Sequence, residues 1–425
     1  MRDTFRLCAI VPSAYFDTGV PTVVPYIPSY SNHHSPRMRP FVRANACELV
    51  PHNRMSVLRT SVVLSVGVML LVGLLGVGPV QAQDDPSEAA VDLTYAVGAD
   101  LSFLKAAEDQ GTEFRDEGEV KPGLQIFREH GYDWIRLRLF HSPDELPNDL
   151  EYTIDLAQEA QDRGYKFLLD YHYADSWADP GKQPIPAAWK GLSSDVLADS
   201  VYEYTRRTIA AFREAGVMPE MVQIGNETRN GMLWPTGKLP ENWDNFAALV
   251  KAGIDGVDAG RGQAPRPLIM VHYDQGADAD GAKAYYDKFN SYNIGYDVIG
   301  LSYYPWWHGN LLGLRENLLS LTDNFEKDII LVETAYNWRP SEYQEARAPY
   351  PETPEGQREF LASVHEMLLS IPSRKIKGIF WWEPAVADGP IRSRGMFDEE
   401  NNALPVLDVF EKYKHGPAGE ANAPE

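Results

Sequence analysis

Two stretches, Met221-Val-Gln-Ile-Gly-Asn-Glu-Thr228 and Ile329-Ile-Leu-Val-Glu-Thr-Ala-Tyr336, decide the fold. In the first, Val222 and Ile224 alternate with Gln223 and Gly225, the two-residue period of a short strand. The strand stops at Asn226-Glu227, and a loop with Gly231, Trp234 and Gly237 follows. The second is again an apolar strand that ends in a carboxylate, Glu333. Acids at the carboxyl ends of apolar strands are what an α/β barrel carries at its mouth. Two of them facing each other form the constellation that glycosidic-bond cleavage needs.

Around these two, six more apolar segments recur, at 95–101, 134–140, 167–173, 268–274, 298–304 and 376–382. Most are followed by amphipathic helical patterns, such as 154–163 ahead of Gly164, 201–215 ahead of Gly216, and 357–369. Strand then helix, repeated over one domain spanning 94–413, predicts an α/β fold of the (β/α)8 TIM-barrel kind. A doubly wound open sheet is the rival. It usually carries a phosphate-cradling glycine pattern after its first strand, and Gly98-Ala-Asp-Leu-Ser102 is not one.

The 425-residue chain has a heterogeneous start. From Met55 a basic end, an apolar run over 62–78 and a small-x-small site at Val80-Gln-Ala82 spell a secretory signal peptide, 55–82. A transmembrane anchor is the alternative. Residues 1–54 read as a mis-assigned upstream extension or a disordered tail, 83–93 as a flexible leader, and 414–425 as a disordered tail. Cleavage near Ala82 predicts a secreted, periplasmic or envelope protein. Both cysteines, Cys8 and Cys47, precede that point, so the exported chain has no disulfide and relies on its core. Residues 83–425 hold 32 basic and 58 acidic side chains, a net charge of −26 that argues against nucleic acid and anionic membranes as partners. Such a surface repels itself, which salt screens.

Alternation also assigns what faces the barrel interior. Ile135, Leu137 and Leu139 face the helices, which turns Arg136 and Arg138 inward; Leu169 faces out, with Asp170 and His172 inward. Buried guanidinium groups need carboxylates, and Asp170 is the natural partner. Arg136 reads as part of an internal ion-pair network, and Arg138, nearer the mouth, as the residue that orients a catalytic carboxylate. Glu383, in Trp381-Trp-Glu-Pro384, is a third candidate acid. Aromatic side chains crowd the same strand ends (Trp177, Trp189, Trp234, Tyr303, Tyr304, Trp306, Trp307, Trp338, Trp381 and Trp382), offering faces on which sugar rings stack. His172, Asp175 and Gln183 supply hydrogen-bonding groups for hydroxyls. A metal site of His172, Asp170 and His272 is the competing reading of the histidines.

The ordered set Gly98-Ala-Asp-Leu-Ser102, Ile135-Arg-Leu-Arg138, Leu169-Asp-Tyr-His-Tyr-Ala-Asp-Ser-Trp-Ala-Asp-Pro-Gly-Lys-Gln183, Val222-Gln-Ile-Gly-Asn-Glu227, Gly231-Met-Leu-Trp-Pro235, Ile299-Gly-Leu-Ser-Tyr-Tyr-Pro305, Val332-Glu-Thr-Ala-Tyr336 and Trp382-Glu-Pro384 resembles glycoside hydrolase family 53, the endo-β-1,4-galactanases. The resemblance runs from about Gly98 to Phe410. It implies Glu227 as general acid/base and Glu333 as nucleophile of a retaining double displacement. It implies Asn226 on the sugar 2-hydroxyl, Arg138 and Tyr303 supporting the nucleophile, Ser302 in the substrate site and Trp382 under the attacked sugar. Trp177, His172 and Asp175 become contacts on the non-reducing side, and Glu383 is not catalytic. No cofactor is implied for the chemistry; a structural calcium near the loops after strands seven and eight is compatible with the resemblance, its ligands unassigned. Asn337 departs from the Pro that is more usual there. The expected partner is β-1,4-galactan, met in an open groove by a monomer. A clan-related enzyme on mannan, xylan or glucan and a non-catalytic carbohydrate-binding barrel remain the alternatives.

Overall fold

A computed structural model describes residues 93–340, 349–389 and 391–413. The expected extension, signal segment and disordered tail lie outside the described residues, as does the leader apart from Leu93. Eight strands form the barrel: β1 (Ala96–Asp100), β2 (Trp134–Leu139), β3 (Lys166–Tyr171), β4 (Met221–Ile224), β5 (Leu268–Tyr273), β6 (Val298–Tyr303), β7 (Asp328–Thr334) and β8 (Ile376–Trp382). Each pairs in parallel with its neighbours in the chain, and β8 closes on β1. Among the described residues, seven helices of at least seven residues cross between successive strands: α1 (Gly123–Glu129), α2 (Leu150–Gln161), α3 (Ser194–Glu214), α4 (Trp243–Gly260), α5 (Ala279–Asn290), α6 (Leu311–Asn324) and α7 (Pro354–Leu369). The eighth crossover position is taken by a 3₁₀ run, Leu407–Tyr413. Among the described residues no helix is long and apolar enough to cross a membrane.

Local sequence explains where the helices start and stop. Asp149, Asp278, Asn310 and Thr353 each accept a backbone N–H in the first turn of α2, α5, α6 and α7. Gly164 and Gly216 follow α2 and α3 with φ of +79°, the left-handed stop that glycine supplies cheaply.

Two apolar layers result. Ile135, Leu137 and Leu139 of β2 and Leu169 of β3 pack outward against the helices. A smaller plug of Trp134, Leu168, Met221, Met270, Val298, Ile330, Val332 and Phe380 fills the floor of the barrel interior. Gly98 makes room for it, because a Cβ there would meet the Phe380 ring at 2.2 Å. Above this floor the inward positions turn polar, so the strand ends hold a buried charged layer: Asp100, Arg136, Arg138, Asp170 and Glu383 are each at most 1% exposed.

Candidate active site

Strand β4 delivers Glu227 through a backbone that bends sharply. Gly225 has φ +79°, and a Cβ there would crowd Thr228 at 2.8 Å. Glu227 itself sits in the left-handed region, at φ 49° and ψ 57°. That conformation is uncommon for a non-glycine residue and concentrates at functional sites. The bend is held from outside: Gln183 donates to the Asn226 carbonyl (2.8 Å), and Asn226 donates through Nδ2 to the Ala178 carbonyl (3.0 Å). Glu227 as a residue is half-buried. Its Oε1 accepts the Ser302 hydroxyl at 2.9 Å, and Ser302 Oγ lies 2.8 Å from His272 Nε2.

Glu333 reaches the same space through an irregularity. Between β6 and β7 the register jumps from Leu301↔Leu331 to Ser302↔Glu333, leaving Val332 as the extra residue of a bulge. Val332 packs in the inner plug, so two consecutive residues face inward. Bulges re-aim side chains in this way beside active sites. Glu333 is 5% exposed. One oxygen lies 2.8 Å from an Arg136 guanidinium nitrogen, and the other accepts the Tyr304 hydroxyl at 3.0 Å.

Arg136 is the hub beneath both acids. It contacts Asp100 and Asp170 at 2.9 Å each and donates to Gln223 (3.1 Å) and to Asn226 Oδ1 (2.9 Å). It therefore ties the residue before Glu227 to Glu333. Arg138 shares Asp100 at 2.9 Å, makes a short contact with Glu383, and lies 4.2 Å beneath the Trp177 ring. Asp100, facing both guanidinium groups, titrates below the usual carboxylate range although burial opposes this.

The two acids live in different fields. Burial raises the Glu227 carboxyl well above its ordinary value, and the charges of Glu333 and Asp274 add to the effect. Burial also raises Glu333, but Arg136 and the Tyr304 hydroxyl pull the other way. A proton shared by the pair therefore rests on Glu227, leaving an ionised Glu333. One neutral acid and one ionised carboxylate are what glycosidic cleavage requires. Burial also pushes Glu383 up to about 8 against the pull of Arg138. His272 is held neutral by burial, with Arg136 adding to that effect.

Residues 96–410 match the sequence profile of glycosyl hydrolase family 53. The chain belongs to that family. It is 35% identical over 308 residues to arabinogalactan endo-β-1,4-galactanase A of Emericella nidulans, covering 70% of this chain and 86% of that protein. An uncharacterised protein of the bgaB 5′ region in Niallia circulans is 37% identical, over 68% of this chain and 84% of its own. The solved family 53 catalytic domain of Ignisphaera aggregans superimposes with a TM-score of 0.70 at 32% identity, covering 76% of this chain and 97% of that one.

Within this family 53 barrel, Glu227, Asn226, Ser302, Glu333 and Arg136 form one connected cluster, and Trp382 and Trp177 stand beside it with ring centres 6.2 Å apart. Two expectations need correction. Tyr303 does not support Glu333: its hydroxyl donates to the Gly309 carbonyl and its ring stacks on Phe360 of α7. Ser302 faces the barrel, so alternation sends Tyr303 outward and returns Tyr304 to the interior. Arg138 likewise does not touch Glu333; Arg136 does, because the Glu333 side chain reaches down to the deeper guanidinium while Glu383 takes the upper one. His172 is 4% exposed, with Nε2 on Asp170 (3.1 Å) and Nδ1 accepting the Ala178 N–H (3.0 Å). The carboxylate of Asp175 accepts the Ala187 N–H at 2.7 Å. Both residues shape the loop that carries Trp177, and the second Asp175 oxygen lies 3.5 Å from His141 Nδ1.

Among the aromatic residues, Trp306, Trp307 and Tyr304 gather around Arg394, with its guanidinium 4.9 Å from the Trp307 ring. Trp381 and Trp189 are core residues, the second packed on His141 and Tyr204. The alternative metal site does not form: among the described residues, His172, Asp170 and His272 do not converge.

Proposed function

We propose that the chain is a secreted, endo-acting arabinogalactan β-1,4-galactanase that retains anomeric configuration. The observation that carries this is the contrast between the two carboxyls: Glu227 on a hydroxyl, Glu333 on a guanidinium and a phenol. The name of the Emericella nidulans relative supports the substrate, and the signal-like segment 55–82 supports export. Glu333 attacks the anomeric carbon while Glu227 protonates the departing oxygen. The bond to the leaving sugar breaks, and a glycosyl ester on Glu333 forms. Glu227, now a carboxylate, takes a proton from water, whose oxygen displaces Glu333. This sequence works with carboxyls about 5–5.5 Å apart.

Asn226 is fixed by Arg136 through Oδ1 and by the Ala178 carbonyl through one Nδ2 hydrogen, so the second Nδ2 hydrogen is the one left for the sugar 2-hydroxyl. Tyr304 and Arg136 stabilise the Glu333 carboxylate, and Trp382 floors the attacked sugar.

Incubation with purified β-1,4-galactan tests the reading. Internal cleavage gives a ladder of oligosaccharides, and proton NMR sees the β-anomer first. Glu333→Gln abolishes turnover with the fold intact. Activity on mannan, xylan or β-glucan instead of galactan, an α-anomer appearing first, or binding without hydrolysis overturns it.

A further inference from the structure

A second cluster of ligating groups lies at the opposite end of the barrel. His130 caps α1 and precedes β2, which places it on the face away from the catalytic mouth. Its ring is packed in, the residue only 7% exposed. Nε2 lies 3.3 Å from an Asp116 oxygen, and the other Asp116 oxygen holds Lys121 at 2.9 Å. Nδ1 points the other way, 3.2 Å from Asp408 Oδ1 and 3.3 Å from Glu411 Oε1. Asp408 and Glu411 are three apart on the 3₁₀ run Leu407–Tyr413. With three residues per turn they project from one side.

The arrangement poses an electrostatic problem. A neutral imidazole that donates Nε2–H to Asp116 turns the Nδ1 lone pair towards two carboxylate oxygens. Neither contact has the geometry of a hydrogen bond, and Nδ1 is buried without a hydrogen-bond partner. Three electron-rich atoms around one point call for a cation between them. The two Nδ1-to-oxygen spacings fit one: a tetrahedral centre with bonds of about 2.0–2.1 Å has ligand-to-ligand edges of about 3.3–3.4 Å, and all three atoms lie within 4.8 Å of one another. Asp116 on the far ring nitrogen is the outer carboxylate that orients a metal-binding histidine.

We propose that His130, Asp408 and Glu411 form a divalent transition-metal site of the zinc class, oriented by Asp116. It staples the C-terminal 3₁₀ run to the end of α1 and has no part in the chemistry at the mouth. Two half-exposed carboxylates and an imidazole nitrogen suit zinc or cobalt better than calcium, which prefers six or more oxygens.

The test uses the full-length, untagged chain, stripped with a chelator and dialysed, and titrated with zinc chloride at neutral pH. One zinc is expected per chain, with a rise in melting temperature, and cobalt is expected to give the visible bands of a tetrahedral centre. Asp116→Asn should weaken zinc binding by about 10–100-fold. His130→Gln removes the site. If that variant fails to fold, the Asp408→Asn, Glu411→Gln pair, whose side chains are half-exposed, serves in its place and should bind no zinc while retaining galactan hydrolysis. Absence of stoichiometric zinc uptake by the unaltered chain, or uptake undiminished in the double carboxylate variant, overturns the proposal.

Discussion

Tyr304→Phe removes one oxygen from the site and little else. The Tyr304 ring stays packed against Trp306, Trp307 and Trp382, but the 3.0 Å hydrogen bond to Glu333 is lost. A hydrogen bond to a charged group contributes about 1.5–3 kcal/mol. Divided by 1.36 kcal/mol per pKa unit, that is a shift of about 1–2 units. The sign follows from which form the phenol serves: it donates to the carboxylate, so its loss favours the protonated acid and raises the pKa of Glu333. The acidic limb of kcat/KM, which reports the ionisation of the nucleophile in the free enzyme, should move up by that amount. The second half-reaction should also slow, because there the carboxylate re-forms and the hydrogen bond strengthens as it does. A pH profile on soluble galactan, paired with trapping of the glycosyl-enzyme, measures both effects. An acidic limb that moves by less than about 0.3 units in a folded variant would refute the assignment of Tyr304 to Glu333, since even the weakest charged hydrogen bond exceeds that.

Ser302→Ala takes the hydroxyl donor from Glu227, so its carboxyl titrates higher still; the alkaline limb of kcat/KM should shift up by about 0.5–1 unit, discounted for the solvent that reaches Glu227. Glu227→Gln should raise the melting temperature at pH 8 but not near pH 4. The folded protein holds this proton above the ordinary 4.5, so the group's contribution to stability is full below that value and is lost as pH rises through the folded pKa. The net charge of −26 over residues 83–425 predicts that melting temperature rises from low to molar NaCl; a flat curve would show that self-repulsion does not limit stability.

Much of this site was legible before any coordinates. Recurring apolar segments located all eight strands, and the two-residue period sorted Arg136, Arg138, Asp170 and His172 to the interior, because a parallel barrel strand must show aliphatic groups to its helices. Tyr304 was equally legible: with Ser302 inward, the residue two further on returns to the same face. The family resemblance pointed to Tyr303, which that parity turns outward. The exchange of Arg138 for Arg136 has a different origin. Depth along β2 alone favours Arg138, whereas the partner's reach depends on the strand opposite. Nothing in Ile329-Ile-Leu-Val-Glu333 announces a bulge at Val332, since it contains no glycine and every residue suits a regular strand. That the described residues after β8 form only 3₁₀ runs was also unannounced.

The charge balance then accounts for why the site holds two neutral acids rather than one. Two guanidinium groups, Arg136 and Arg138, face five carboxyls: Asp100, Asp170, Glu227, Glu333 and Glu383. Five negative charges in a space this dry would not be neutralised by two positive ones, so protons stay where the cations are least effective. Asp100 takes both guanidiniums and Glu333 takes Arg136, while Glu227 has a hydroxyl in place of a cation. Glu383 shares Arg138 with Asp100 and is pushed up to about 8. Besides these two carboxyls, the Arg138 guanidinium meets the Trp177 ring 4.2 Å away, and Trp177 neighbours Trp382. The upper guanidinium thus serves the aromatic floor and the lower one the nucleophile.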